Sequence, residues 1–275
     1  MKKDLQYLNR KKSQRRPITM ATAYDFPTAR LEEEAGLDCI LIGDSVGTNV
    51  LGYSSEREVT MSDMLHHTAA VARAVKSAYI IADLPYRSAD TLPDAEKNAS
   101  LLLAKGADCI KIEGWAEKKE IIKGLSEKGF AVCAHIGYNP QIHVKPRTFG
   151  KDATQAFELI ECASALEQSG ACMLVVEKLP QEVASLITQR LTIPTIGIGS
   201  GSGCDGQVLV VNDILGLAPK KFKHVQQFAS LKDVIKNALK GYGDAVESKR
   251  FPSEENTWYI DPQEYSLLRE LLNEK

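Results

Sequence analysis

Hydrophobic and polar positions alternate in two textures along the chain. Short apolar runs rich in β-branched residues recur at ITMATAY (18–24), CILIGD (39–44), AYIIADL (78–84), CIKIEG (109–114), FAVCAHIG (130–137), CMLVVE (172–177) and IPTIGIG (193–199), and an eighth, GQVLVVND (206–213), follows closely. Runs this short and this apolar read as strands buried on both faces. Between them the apolar residues fall at i, i+3, i+4 and i+7, the period of a helix with one buried face. Segment 62–75, SDMLHHTAAVARAV, shows this well, with Ser62 as its expected N-cap. Strands alternating with helices build βαβ units around a parallel sheet, and eight of them predict an α/β fold of the (β/α)8 TIM-barrel class; an open doubly wound sheet is the alternative. No Pro-, Gly- or Ser-rich linker interrupts the series, so residues 1–275 are expected to form a single barrel domain.

Two terminal segments flank the barrel pattern. Residues 1–17, MKKDLQYLNRKKSQRRP, are basic and lack the apolar stretch of a secretory signal, which predicts a solvated basic helix leading into the first strand and a protein that stays in the cytoplasm. Residues from about 259 to 275 form a helical extension. There Asp261 is the expected N-cap, Pro262 the first helical residue and Glu264 the third, a capping-box arrangement. Leu267, Leu268, Leu271 and Leu272 make one apolar face, which requires a docking surface on the chain's own barrel or on another subunit.

Charge narrows the partners. Thirty-four Lys and Arg stand against 36 Asp and Glu, so the electrostatic footprint of a nucleic-acid binder is missing and a small-molecule partner is expected. The apolar runs are far shorter than the roughly 20 residues that cross a bilayer, so no membrane partner is expected. The six cysteines (39, 109, 133, 162, 172 and 204) form no C-x-x-C pair and sit in or beside apolar runs, as small buried hydrophobes do in a reducing compartment.

The polar residues within the runs carry the candidate chemistry. Asp44, Asp83, Glu113, His135 and Glu177 each close or nearly close a different run. In a barrel the carboxyl ends of the strands form one face, where such folds place their sites, so these five should converge. In DCIKIEG (108–114), period two sets Ile110 and Ile112 on one side of the strand and Lys111 and Glu113 on the other. Three carboxylates brought within a few ångströms repel by roughly 4 kcal/mol per pair at an effective dielectric near 20. A bound dication or raised pKa values must relieve that. The donors are oxygens, which favours Mg2+ or Mn2+ over zinc. Lys111 would then pair with a carboxylate of the protein or of a substrate; a Schiff-base role is disfavoured because the carboxylates keep its amine protonated. The glycine-rich GIGSGSGCDG (197–206) departs from the dinucleotide fingerprint and reads instead either as a cradle of backbone N–H groups for an anion or as close backbone approach to a ligand.

Taken in order, TAYD (22–25), LIGDSVG (41–47), HHTAAVAR (66–73), ADLPY (82–86), GADCIKIEG (106–114), AHIGYNPQ (134–141), VVEKLP (175–180) and residues 193–217 resemble the ketopantoate hydroxymethyltransferase family, over about residues 18–258. The resemblance implies a (β/α)8 barrel, Mg2+, 5,10-methylenetetrahydrofolate as co-substrate and a cytoplasmic homo-oligomer, a decamer. It implies transfer of a hydroxymethyl group to 3-methyl-2-oxobutanoate, giving 2-dehydropantoate for pantothenate synthesis. Carried over position by position, Asp44, Asp83 and Glu113 match the metal site, the last acting through water. Asp44, Ser45, Asp83, Lys111 and His135 match substrate contacts, and Glu177 matches the general base. Departures are local: IHVKPRTFGKD follows AHIGYNPQ where the family has a Gly-rich aromatic loop, Thr48 replaces Met, RAV (73–75) replaces Arg-Gly, and residues 259–275 run past the usual end. The altered loop at 142–152 keeps a metal-dependent lyase or aldolase on another 2-oxo acid as the alternative, with a non-catalytic barrel behind it.

Overall fold

Each apolar run forms a strand in a computed structural model of the chain, which describes residues 2–143, 145, 147–218 and 222–272. The strands are β1 (Ile18–Thr22), β2 (Cys39–Ile42), β3 (Tyr79–Asp83), β4 (Cys109–Glu113), β5 (Val132–Gly137), β6 (Met173–Glu177), β7 (Thr195–Ile198) and β8 (Gly206–Leu209). All neighbours pair in parallel, and β8 pairs with β1, closing the barrel. The helices are α1 (Leu5–Ser13), α2 (Phe26–Glu34), α3 (Met61–Ala74), α4 (Leu92–Ala104), α5 (Lys119–Glu127), α6 (Ala153–Gln168), α7 (Gln181–Arg190), α8 (Val211–Ile214), α9 (Leu231–Glu247) and α10 (Pro262–Leu271).

Alternation along the strands divides the core in two. Met20, Leu41, Ile81, Cys109, Cys133, Val175 and Val208 fill the barrel interior, whereas Ile40, Ile80, Ile110, Ile112, Ala134 and Val176 pack outward beneath the helices. Fully burying an aliphatic side chain of this size stabilises by about 1.5–3 kcal/mol, so slipping any strand by one residue would forfeit several such terms together. Within β4 the same alternation turns Lys111 and Glu113 inward with Cys109.

The ends of several elements differ from the sequence reading. The N-cap of α3 is Thr60 rather than Ser62: Thr60 Oγ1 accepts from the Asp63 amide (3.2 Å) while the Asp63 carboxylate accepts from the Thr60 amide (2.9 Å), so this reciprocal box starts the helix earlier. The eighth run is a strand only through Leu209. Val211 begins α8, its amide donating to Thr22 Oγ1 of β1 (3.0 Å), a tertiary contact that ends the extended chain.

The N-terminal helix is more than a solvated basic leader. Leu8 of α1 is fully buried in the barrel-interior cluster, and the lysines pair with acids at the amino ends of the strands: Lys11 with Asp38 (2.5 Å), Lys12 with Asp205 (2.7 Å) and Lys2 with Asp108 (2.7 Å). At the other terminus Asp261 caps α10 through the amides of Gln263 (2.8 Å) and Glu264 (3.3 Å). The leucine face of α10 docks on nothing among the described residues, with Leu267 52% and Leu271 80% exposed, and no residue of α9 or α10 is buried. Among the described residues no helix is long and apolar enough to cross a membrane.

Candidate active site

Strand register sets the polar residues at one level. Asp83 of β3 lies opposite Lys111 of β4, Glu113 opposite His135 of β5, and Gly137 opposite Glu177 of β6. Gly137 makes the last pairing possible. Its φ is +99°, and a Cβ there would lie 2.0 Å from the Glu177 carbonyl oxygen, so only glycine lets the end of β5 approach β6 this closely. The carbonyl of Glu177 also accepts from the Tyr138 amide (2.9 Å), which anchors the backbone carrying its side chain.

A cavity of about 490 Å3 opens at the carboxyl ends of the strands, and Asp44, Ser45, Asp83, Lys111, Glu113, His135 and Glu177 all line it. The charged groups form a connected line. The Asp44 amide donates to Asp83 Oδ2 (3.1 Å), Lys111 Nζ donates to Asp83 Oδ1 (3.0 Å) and to Glu113 Oε1, and His135 Nδ1 lies 2.5 Å from Glu113 Oε2. His135 Nε2 points on toward Glu177 Oε2 at 3.6 Å and is a buried nitrogen without a hydrogen-bond partner. Ser45 Oγ is fixed by the Tyr24 hydroxyl (2.8 Å).

Burial and neighbouring charge pull these groups apart in acidity. Burial, reinforced by Asp83 and Glu113, pushes the Asp44 carboxyl well above the usual carboxylate range. Burial also raises Asp83, against the opposing pull of Lys111. For Glu113 burial is outweighed by His135 and Lys111, which hold it down at about 2. Lys111 is pushed down by burial but lifted well above its ordinary value by Asp83, Glu113 and Asp44, so it is a fixed cation. Glu177 is raised by burial, with His135 and Lys178 pulling the other way. The line therefore ends in a carboxylate with raised proton affinity, separated by His135 from one held in its ionised form.

The family model for ketopantoate hydroxymethyltransferase matches residues 2–254. The chain belongs to the ketopantoate hydroxymethyltransferase family. It is 45% identical over 262 residues to a 3-methyl-2-oxobutanoate hydroxymethyltransferase of Hyperthermus butylicus, covering 94% of this chain and 91% of that protein. A protein of the same name from Caldivirga maquilingensis is 45% identical over 255 residues, covering 91% of this chain and 96% of its own length. Among solved structures, a phosphonopyruvate hydrolase superposes with a TM-score of 0.62 at 14% identity over 99% of this chain and 95% of its own, a likeness of barrel fold.

Every site residue expected from the sequence and from the ketopantoate hydroxymethyltransferase motifs reaches the one cavity. Asp44, Asp83 and Glu113 gather there, but the Lys111 ammonium stands between Asp83 and Glu113, and among the described residues no three His, Cys, Asp or Glu side chains form a ready metal cage. The donor set nevertheless fits a hard cation: three buried carboxylates outnumber the single lysine, and the carboxyl of Asp44 is pushed well above the usual carboxylate range, a penalty on its ionised form that a dication would relieve.

Sequence reading missed two neighbours. Lys178 holds a left-handed backbone (φ +52°), worth about 1–3 kcal/mol of strain in a non-glycine residue. Its ammonium lies 3.4 Å from Glu177 Oε1 and 4.1 Å from the centre of the Tyr138 ring. Gln141, inside the quoted motif AHIGYNPQ, is buried and donates to Asp44 Oδ2 (2.8 Å). Strand-end position could find neither, since Lys178 follows a strand end already assigned and Gln141 lies in a loop.

Proposed function

We propose that this protein transfers a hydroxymethyl group from 5,10-methylenetetrahydrofolate to 3-methyl-2-oxobutanoate, forming 2-dehydropantoate, and that it works in the cytoplasm as a homo-oligomer. The observation that carries the reading is the hydrogen-bonded run Asp83–Lys111–Glu113–His135, whose free Nε2 faces Glu177 at 3.6 Å in the same cavity.

Asp44 and Asp83 would hold Mg2+, with Glu113 acting through water because both its oxygens are engaged by Lys111 and His135. When bound, the ion supplies Lewis-acid stabilisation of negative charge on the keto oxygen of the oxo acid. Lys111 has three N–H donors, two of them committed to Asp83 and Glu113, and the third is free to take a carboxylate oxygen of the substrate. Ser45, oriented by Tyr24, offers a further contact to that carboxylate. Glu177, raised by burial, removes the proton at C3, and the carbon so released attacks the methylene carbon of the folate as one of its C–N bonds breaks; water then replaces the second folate nitrogen, supplying the hydroxyl and releasing tetrahydrofolate. Glu113 holds His135 by Nδ1, so that Nε2 faces Glu177 and steadies it during the transfer. The open leucine face of α10 supports assembly with further copies.

The test is exchange of the C3 proton of 3-methyl-2-oxobutanoate in D2O, followed by NMR with and without Mg2+. Mg2+-dependent exchange is expected, followed by turnover when methylenetetrahydrofolate is added. A folded, Mg2+-supplied protein that exchanges nothing would sink the reading, and turnover with simple aldehydes but not with the folate would replace it by an aldolase.

A further inference from the structure

Gln141 lies on the loop after β5 and is only 7% exposed. Its side-chain amide has two N–H donors, and both are committed: one to Asp44 Oδ2 (2.8 Å), 97 positions away in sequence, and one to the carbonyl of Leu84 (3.2 Å), just past β3. Asp44 Oδ1 is left without a hydrogen-bond partner among the described residues.

The backbone of Gln141 is held as firmly as its tip. Its amide donates to Asn139 Oδ1 (2.8 Å), and its carbonyl accepts from Arg57 Nε (2.7 Å). Arg57 Nη2 donates in addition to the carbonyl of Ile142 (2.7 Å). Arg57 belongs to a 3-10 turn, Glu56–Glu58, whose Glu56 lines the cavity, and its guanidinium lies over the Tyr86 ring at 5.3 Å. Two successive carbonyls of the β5 loop are therefore gripped by one planar, forked donor, a geometry that lysine does not reproduce.

We propose that Gln141 is a positioning residue for Asp44, and that Arg57 is the latch that seats it. This rests on the reading of Asp44 as a metal ligand. Gln141 fixes the plane of the Asp44 carboxylate by occupying Oδ2, so that Oδ1 is presented to the cation. Arg57 couples that orientation to the seating of the loop, so a displaced loop withdraws the amide from Asp44. Partners that orient a metal-binding group from behind are worth about 10–100-fold in metal affinity.

The probe is Mn2+ alone, bound to the full-length protein and read by electron paramagnetic resonance without substrates. Gln141→Leu is expected to weaken Mn2+ binding by about 10–100-fold and to change the spectrum of the ion that remains bound. Arg57→Ala is expected to weaken binding several-fold, with Arg57→Lys recovering only part because it cannot hold both carbonyls in one plane. Circular dichroism verifies that each variant is folded. Gln141→Leu binding Mn2+ within twofold of the unmodified protein overturns the proposal. Should Gln141→Leu fail to fold, unchanged affinity in Arg57→Ala, whose side chain is at the surface, overturns it equally. Absence of Mn2+ binding by the unmodified protein overturns both this proposal and the metal reading beneath it, whereas tight binding that ignores Gln141 and Arg57 overturns this proposal alone.

Discussion

Glu32 gives a pH-dependent prediction that is independent of the site. It lies on α2, is 7% exposed, and has neither carboxylate oxygen hydrogen-bonded. Burial, with a smaller contribution from Asp25, pushes its carboxyl up to about 8 from an ordinary 4.5. Below the unfolded value both states hold the proton and there is no effect. As pH rises from 4.5 toward 8 the unfolded chain ionises first, so stability falls, and above 8 the full cost is in place. At about 1.36 kcal/mol per pKa unit, the shift sets an upper bound of ~5 kcal/mol, part of which local relaxation and water entry would relieve. Glu32→Leu removes the titration and keeps an apolar contact surface. Its urea-unfolding midpoint is expected near that of the unmodified protein at pH 5 and clearly higher at pH 9, a difference of at least ~2 kcal/mol. Equal stability differences at the two pH values would refute the argument, because an uncharged packing effect does not depend on pH.

Glu177→Gln should abolish C3 proton exchange while leaving Mn2+ binding intact, measured by NMR and by electron paramagnetic resonance on the same preparation; undiminished exchange removes Glu177 as the base. Lys11→Met removes the nearer of the two ammonium partners of the buried Asp38, leaving Lys3 at 3.6 Å, and is expected to cost ~3 kcal/mol of stability at pH 7 in urea titrations. Burial is outweighed at Asp38 by Lys11, the Thr19 amide and Tyr7, which hold its carboxyl at about 2, so the contribution is complete above its ordinary 3.8 and is lost as pH falls from there through 2. The gap between the two proteins should narrow at pH 2 to 3, and a gap that persists in acid refutes the pairing.

The barrel was legible because its strands are covered on both faces, which leaves near-continuous apolar runs bounded by polar turns. The convergence of the closing residues on one cavity was legible for the same reason: in β4 a lysine and a glutamate alternate with outward isoleucines and so must turn inward together. What depended on distant partners was hidden. The lysines of the N-terminal segment look solvated in sequence, yet Asp38, Asp108 and Asp205 at the far ends of three strands claim Lys11, Lys2 and Lys12. Two valines extend the eighth run, but a hydroxyl on β1 turns the second of them into a helix. Gln141 has no periodicity to mark it, and its partner is named only when β2 and the β5 loop meet across the mouth.

Lys111 has a consequence for how the protein comes into being. An ammonium built into β4 between Asp83 and Glu113 gives the crowded carboxylates a counter-ion as soon as the strands pair. Small domains whose ligands meet only around an ion must acquire it in order to fold. Here the chain carries its own positive charge to that place, so closing the barrel needs no ion, and the cation proposed above would be loaded as a separate event by a protein already folded.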